Sequence, residues 1–238
     1  LSVSTPRVYK TMRRHLFEFA RTIRKKDFEF DEIDMKFYNR LVIYLQAKQF
    51  TANTVGKIIK ELKAVLRQAE KDGINTNTAY KDFTVYTEAV DNVYLSEEEL
   101  EKIRTADLNV KPQEVKKLIA EQNIEFEMLD DDWRVYGGTL EKVRDWFLLL
   151  AWTGSRFSDL EKISRQEIGT GFISFRQQKT NTKVVIPVHP VVHEILERYG
   201  YAMPSAISNQ KFNHYLKIVC FLAGITNMES KTRTEGGV

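Results

Sequence analysis

Three runs within the first 73 residues repeat apolar side chains every third or fourth position, and that period restricts this stretch to packed amphipathic helices. The first run opens at Ser4-Thr5-Pro6, where a capping oxygen and a proline in the first turn favour a helix start, and extends to about Lys26. Val8, Met12, Leu16, Phe19, Ala20 and Ile23 make its apolar stripe, while Arg7, Lys10, Arg14, Arg21 and Arg24 recur on a different face. A second helix is predicted from Asp31 to Gln49 on Ile33, Phe37, Leu41, Tyr44 and Leu45. A third, capped by Thr51 or Thr54, runs to a stop at Gly73. Val55, Ile58, Leu62, Val65, Leu66 and Ala69 should face inward from it, and Lys57, Lys60, Lys63, Arg67 and Lys71 outward. Three helices with short connections predict a bundle with cationic outer faces.

The helical period stops after Gly73. Asn75 to Thr78 is a polar turn cluster and Thr84 to Val93 has no helical period, so a linker is expected between about 83 and 93. The predicted domains are a helical bundle over 1–88 and a second domain over 89–238, and 238 residues suffice for two cores. Ser96-Glu97-Glu98-Glu99 matches a capping box and opens a helix at Glu97. Residues from about 108 to 137 are acidic and interrupted by Pro112, which suggests a surface insertion, and Gly137-Gly138 precedes a helix from Thr139 to Trp152. From Ile168 the pattern changes to short β-favouring runs, Phe172 to Phe175 and Val184 to Val188, around the polar stretch Gln177 to Thr182. This reads as an antiparallel hairpin with Lys179 at or just before its tip, followed by helices Pro190 to Tyr199 and Ser205 to Ala223. The expected class is mainly α: an N-terminal helical bundle, then an α+β domain with one small antiparallel hairpin.

Charge is unevenly spread. Residues 1 to 90 hold 17 Lys and Arg against 11 Asp and Glu, residues 91 to 145 hold 8 against 15, and residues 146 to 238 hold 11 against 7. Two basic ends flank an acidic middle; the plain reading of each charge run is a solvated face, so the spacing of the charges has to decide. The longest apolar run, Trp146 to Trp152, is too short to cross a bilayer. A single cysteine, Cys220, rules out an internal disulfide, so a reducing cytoplasm is the expected setting. The chain opens on Leu1 and closes on Glu-Gly-Gly-Val, and is read as a fragment.

The segment from Leu148 to Ser164 carries the clearest chemistry. An apolar helix ends at Thr153-Gly154, a sharp turn follows, and Arg156 opens a new short helix with Asp159 one turn on. A guanidinium offers two parallel donors to an oxyanion, and an acid at i+3 can hold it in place. The plainer reading is a surface ion pair between Arg156 and Asp159. His189 and His193 have the i, i+4 spacing of a metal pair, but an acidic third ligand is missing at a sensible spacing and Pro190 marks a helix start, so no metal is expected. Cys220, Trp146 and Trp152 read as core.

The run Thr153-Gly154-Ser155-Arg156-Phe157-Ser158-Asp159-Leu160 resembles the first arginine motif of the tyrosine recombinases, or phage integrases. Gln178-Lys179-Thr180 before the run ending Ile186-Pro187-Val188 is similar to that family's lysine-bearing hairpin, and Tyr94 to Leu100 resembles the opening of its catalytic domain. The basic bundle resembles its core-binding domain, and the likeness is nearest to integrases of Bacteroides-type mobile elements. The resemblance implies a metal-free, cofactor-free transesterification in which a tyrosine attacks a DNA phosphodiester, arginines stabilise the charge and the hairpin lysine protonates the departing 5′ oxygen. It assigns Arg156 as the first catalytic arginine, Lys179 as the hairpin lysine with Lys183 as its substitute, and Asp159 as a supporting acid. Arg7, Lys10, Arg14, Arg21, Arg24, Lys57, Lys60, Lys63, Arg67 and Lys183 are the expected DNA-contacting cations, and further protomers, four on paired sites, are the expected partners.

The family also uses a His-x-x-Arg motif, a later His or Trp, and a tyrosine nucleophile, and none is found here. His214-Tyr215-Leu216-Lys217 lies in a helix ahead of the expected position, and Lys231 to Gly237 resembles the loop that precedes the motif. The catalytic domain is therefore expected to be partial, and the chain to bind DNA without cutting it. Two other classes fit the same residues: a DNA-binding regulator with a recombinase-like fold, and a helical protein-interaction module in which Arg156 is structural.

Overall fold

The computed structural model describes residues 4–90, 92–121, 138–169, 171–205 and 207–227. They form two compact units, the first reaching Val93 and the second starting at Tyr94.

The first unit is built on α1 (Ser4–Thr22), α2 (Met35–Ala47) and α3 (Ala52–Lys71), each packed against the other two. Asp34 caps α2 by accepting the Phe37 amide, and Thr51 caps α3 by accepting that of Thr54. Phe19, Leu41, Leu45, Ile59 and Leu62 are buried at the centre. The Phe19 ring meets those of Phe28, Phe37 and Tyr44 at 5.4–5.7 Å. Three expectations need correction. Helix α1 stops at Thr22, because Arg24 turns to φ 59° and the Lys25 amide bonds back to the Ala20 carbonyl at 2.9 Å. Helix α2 starts four residues later than Asp31, after a short 3-10 turn at Phe30–Glu32. Val65 is 42% exposed and Ile59 is buried in its stead, since the inward face of α3 centres on Val55, Ile59, Leu62 and Leu66.

The predicted linker divides in two. Phe83 is buried and stacks on Tyr38 at 4.9 Å, and the Tyr38 hydroxyl donates to the Thr84 carbonyl at 3.1 Å. Asn53 clasps Glu88 from both sides, donating to its carbonyl at 2.9 Å and accepting its amide at 3.0 Å. Between them the Tyr86 backbone lies so close to Gly56 that a Cβ there would fall 1.9 Å from the Tyr86 carbonyl oxygen. Residues 84–88 are thus a strap fastened to the bundle.

His15 is a buried polar residue that the periodicity did not single out, with its ring edge-on to Phe50 at 5.2 Å and Nδ1 3.4 Å from Glu18. Burial holds its imidazole below the ordinary value of 6.5, more than Glu18 raises it. The unfolded chain then takes up this proton first as pH falls, so the unit loses stability from about pH 6.5 downward until the folded imidazole also protonates. Thermal unfolding at pH 7 and pH 5 should show a drop of a few degrees that shrinks in His15→Gln.

In the second unit α6 (Thr139–Thr153) is the central helix. It packs on α4 (Glu97–Thr105), α8 (Pro190–Arg198) and α9 (Asn209–Leu222). Ser96 and Glu99 form the reciprocal capping box of α4. Trp146 is fully buried and donates its indole N–H to the Ser205 carbonyl at 3.3 Å. The last helix starts at Asn209 rather than at Ser205, because Ser208 supplies its cap by accepting the Lys211 amide. Asp145, only 2% exposed, receives Arg144 at 3.1 Å, Arg198 at 3.2 Å and the Tyr199 hydroxyl at 3.1 Å. Burial and this carboxylate push the Tyr199 phenol up to about 12.

The expected acidic surface insertion is partly core. Pro112 begins α5 (Pro112–Glu121) instead of interrupting it, and Leu108 and Val115 are buried among the second unit's apolar residues. Residues 122–137 lie outside the described residues. Strands β1 (Phe172–Arg176) and β2 (Lys183–Pro187) pair antiparallel from Phe172 opposite Pro187 to Arg176 opposite Lys183. Among the described residues no helix is long and apolar enough to cross a membrane.

Candidate active site and basic faces

The end of α6 shapes the site. Thr153 closes its last turn by donating to the Leu149 carbonyl at 2.6 Å, and Gly154 follows at φ 61°, a left-handed cap that glycine adopts without strain. The chain reverses and Arg156, in extended conformation, becomes the N-cap of α7 (Phe157–Leu160). Phe157 anchors that single turn between Trp146 and Phe212, both at 5.2 Å, and Leu160 is fully buried. Arg156 is left with its side chain 48% exposed, its Nη1 3.6 Å from Oδ2 of Asp159, whose side chain is 1% exposed.

Asp159 also faces the hairpin. Its Oδ1 accepts the backbone amide of Gln178 at 3.0 Å. The Gln178 side-chain amide donates to the Ser158 carbonyl, and its Oε1 accepts from Lys162 Nζ at 2.9 Å. The turn itself is closed by Gln177 to Thr182 at 2.9 Å and Asn181 to Gln177 at 2.8 Å, with Asn181 at φ 55°. Lys179 stands exposed in this turn, one residue beyond Gln178, whereas Lys183 opens β2 opposite Arg176. One buried carboxylate therefore connects Arg156 with the turn that carries Lys179. Gln178 and Lys162 were not singled out from sequence; the signal available was the polarity of Gln178 beside the lysine. Ser155 Oγ and Asp159 Oδ2 are buried without a hydrogen-bond partner.

The two histidines of the suspected metal pair have separate duties. His189 caps α8, its Nδ1 accepting the Val191 amide at 3.3 Å, and stacks flat on Trp152 at 3.7 Å. His193 lies 3.0 Å from the Tyr201 hydroxyl through Nε2.

In the first unit the expected cations separate into groups. Lys10, Arg14 and Arg21 share a shallow basin of about 660 Å³ with Arg13, Phe17 and Glu18, and Arg13 sits 5.0 Å over the exposed Phe17 ring. Arg13 and Phe17 escaped the sequence reading, although each stands three or four residues from a basin cation. Arg7 lines a different concavity, shared with Lys57 of α3, and Arg24 stands beyond the end of α1. Lys60 and Arg67 are exposed on α3. Lys63 is committed internally: its ammonium donates to the Lys81 carbonyl at 2.9 Å and the Phe83 carbonyl at 2.6 Å, which withdraws it from an outward role.

Residues 1–103 match the phage integrase SAM-like domain family. The fold of the whole chain is similar to that of lambda integrase in a dimer bound to a COC' core site, with a TM-score of 0.68, 15% identity, and coverage of 100% of this chain and 77% of that one. It is also similar to lambda integrase in a tetramer bound to a Holliday junction, with a TM-score of 0.66, 16% identity, and coverage of 97% and 63% respectively. No curated protein sequence matches it significantly. The chain thus carries a phage integrase SAM-like domain over residues 1–103, within a fold similar to that of lambda integrase.

Proposed function

We propose that this chain binds duplex DNA as part of a site-specific recombinase of the Bacteroides mobile-element type, and that Arg156, Lys179 and Asp159 belong to its strand-exchange site. The observation that carries the reading is the Asp159 carboxylate, which holds Arg156 on one side and the Lys179-bearing turn on the other. In the reaction a tyrosine oxygen attacks the scissile phosphorus, forming a 3′-phosphotyrosine and releasing the 5′ oxygen. Arg156, half exposed and fixed from behind, suits the non-bridging oxygens; Lys179 would give the 5′ oxygen its proton. Lambda integrase bound to a core site and as a tetramer on a Holliday junction supports duplex DNA and further protomers as partners here.

Duplex binding by the wild-type chain, Arg156→Ala and Lys179→Ala tests this. Each alanine variant should lose no more than about tenfold in affinity, since it removes one phosphate contact among several. No covalent protein–DNA adduct should survive denaturation. An absence of binding at low salt contradicts the proposal, and an adduct contradicts the missing nucleophile.

A further inference from the structure

We infer that Gln178 is a positioning residue for Lys179, acting through Lys162 and the first turn of α7; the inference rests on the proposed role of Lys179. Among the described residues the Lys179 side chain has no hydrogen-bond or ion-pair partner: it is exposed in a six-residue turn whose internal bonds order the loop without directing it anywhere. What sets the turn against α7 is the neighbouring residue. All three groups of Gln178 that can hydrogen-bond toward α7 do so: its amide to Asp159 Oδ1 at 3.0 Å, its side-chain nitrogen to the Ser158 carbonyl, and its side-chain oxygen to Lys162 at 2.9 Å.

The partners explain why glutamine suits the position. Ser158 O can only accept and Lys162 Nζ can only donate, so a side chain carrying both a donor and an acceptor on one carbon satisfies them together. Glutamate would set a second carboxylate beside Asp159 and lose the Ser158 bond, and alanine would keep the backbone bond alone. Both side-chain bonds are exposed, where a hydrogen bond shifts a local equilibrium by only about twofold, so losing the two should open the turn by roughly fivefold. Arg156 is held independently by α7, so only Lys179 would wander.

Lys179 acylation by a water-soluble active ester, followed residue by residue by mass spectrometry with and without saturating duplex, tests this. In the wild-type chain DNA should protect Lys179. In Gln178→Ala that protection should fall by roughly fivefold, while duplex affinity and thermal midpoint stay near wild type. Lys162→Met should lose part of the protection and Lys162→Arg should restore it, which a general loss of structure would not do. If Gln178→Ala does not fold, the Lys162 pair decides alone. Undiminished protection in folded Gln178→Ala, or in Lys162→Met where the first does not fold, overturns the inference. Absence of Lys179 protection in the wild-type chain, with duplex bound, overturns the proposed role of Lys179 instead.

Discussion

Arg14→Glu combined with Arg21→Glu should weaken duplex binding by about a hundredfold near physiological salt, far more than Arg156→Ala. Both residues line the basin on α1 with Lys10 and Arg13, and reversing two charges there removes two phosphate contacts and adds two repulsions. The fold should tolerate the change. Arg14 is 65% exposed and its ion pair with Glu18, at 3.8 Å, is worth little in water. Fluorescence anisotropy with a labelled duplex gives the affinities, and circular dichroism confirms the helices. A loss of tenfold or less would move the interface off α1, toward the exposed cations of α3.

Gly56→Ala should cost the first unit about 2–3 kcal/mol and free the strap. An added Cβ would meet backbone, the Tyr86 carbonyl oxygen at 1.9 Å, so neither a rotamer change nor a side-chain shift relieves it. The strap has to leave, and with it go the Asn53 clasp on Glu88 and the Tyr38 bond to Thr84. Denaturant unfolding gives the stability change, and limited proteolysis should show new cleavage between Thr84 and Val93. Asn53→Ala should release the same segment at a lower cost, because it removes two hydrogen bonds and creates no clash. An unchanged cleavage pattern in Gly56→Ala would mean that the strap does not depend on this close approach.

How far the chain could be read in advance depended on how local each signal was. The bundle, the Ser96 capping box and the hairpin rest on periods and caps a few residues long, and they appear where the pattern placed them. The α1 end was missed because a left-handed arginine leaves no compositional mark of the kind a glycine would. The strap was missed because its signals, Gly56, Asn53 and Tyr38, stand 30 or more positions before their partners, and an extended segment without alternation reads as a linker. Lys63 looked like any other outward lysine until two carbonyls from the following turn closed on it. At the candidate site, Arg156 and Asp159 were legible from the turn and the i+3 spacing. Their connection to Lys179 runs through a backbone amide 19 positions away, which no spacing rule reveals.

The most direct test of DNA binding through the α1 basin is the salt dependence of duplex affinity. The basin's four cations, Lys10, Arg13, Arg14 and Arg21, should contribute roughly −4 to the slope of log affinity against log salt, so the whole slope is at least that steep. In the double charge-reversal variant that slope should become shallower by about two. A slope near zero, or the same slope in the variant as in the wild-type chain, would contradict a phosphate interface on this helix.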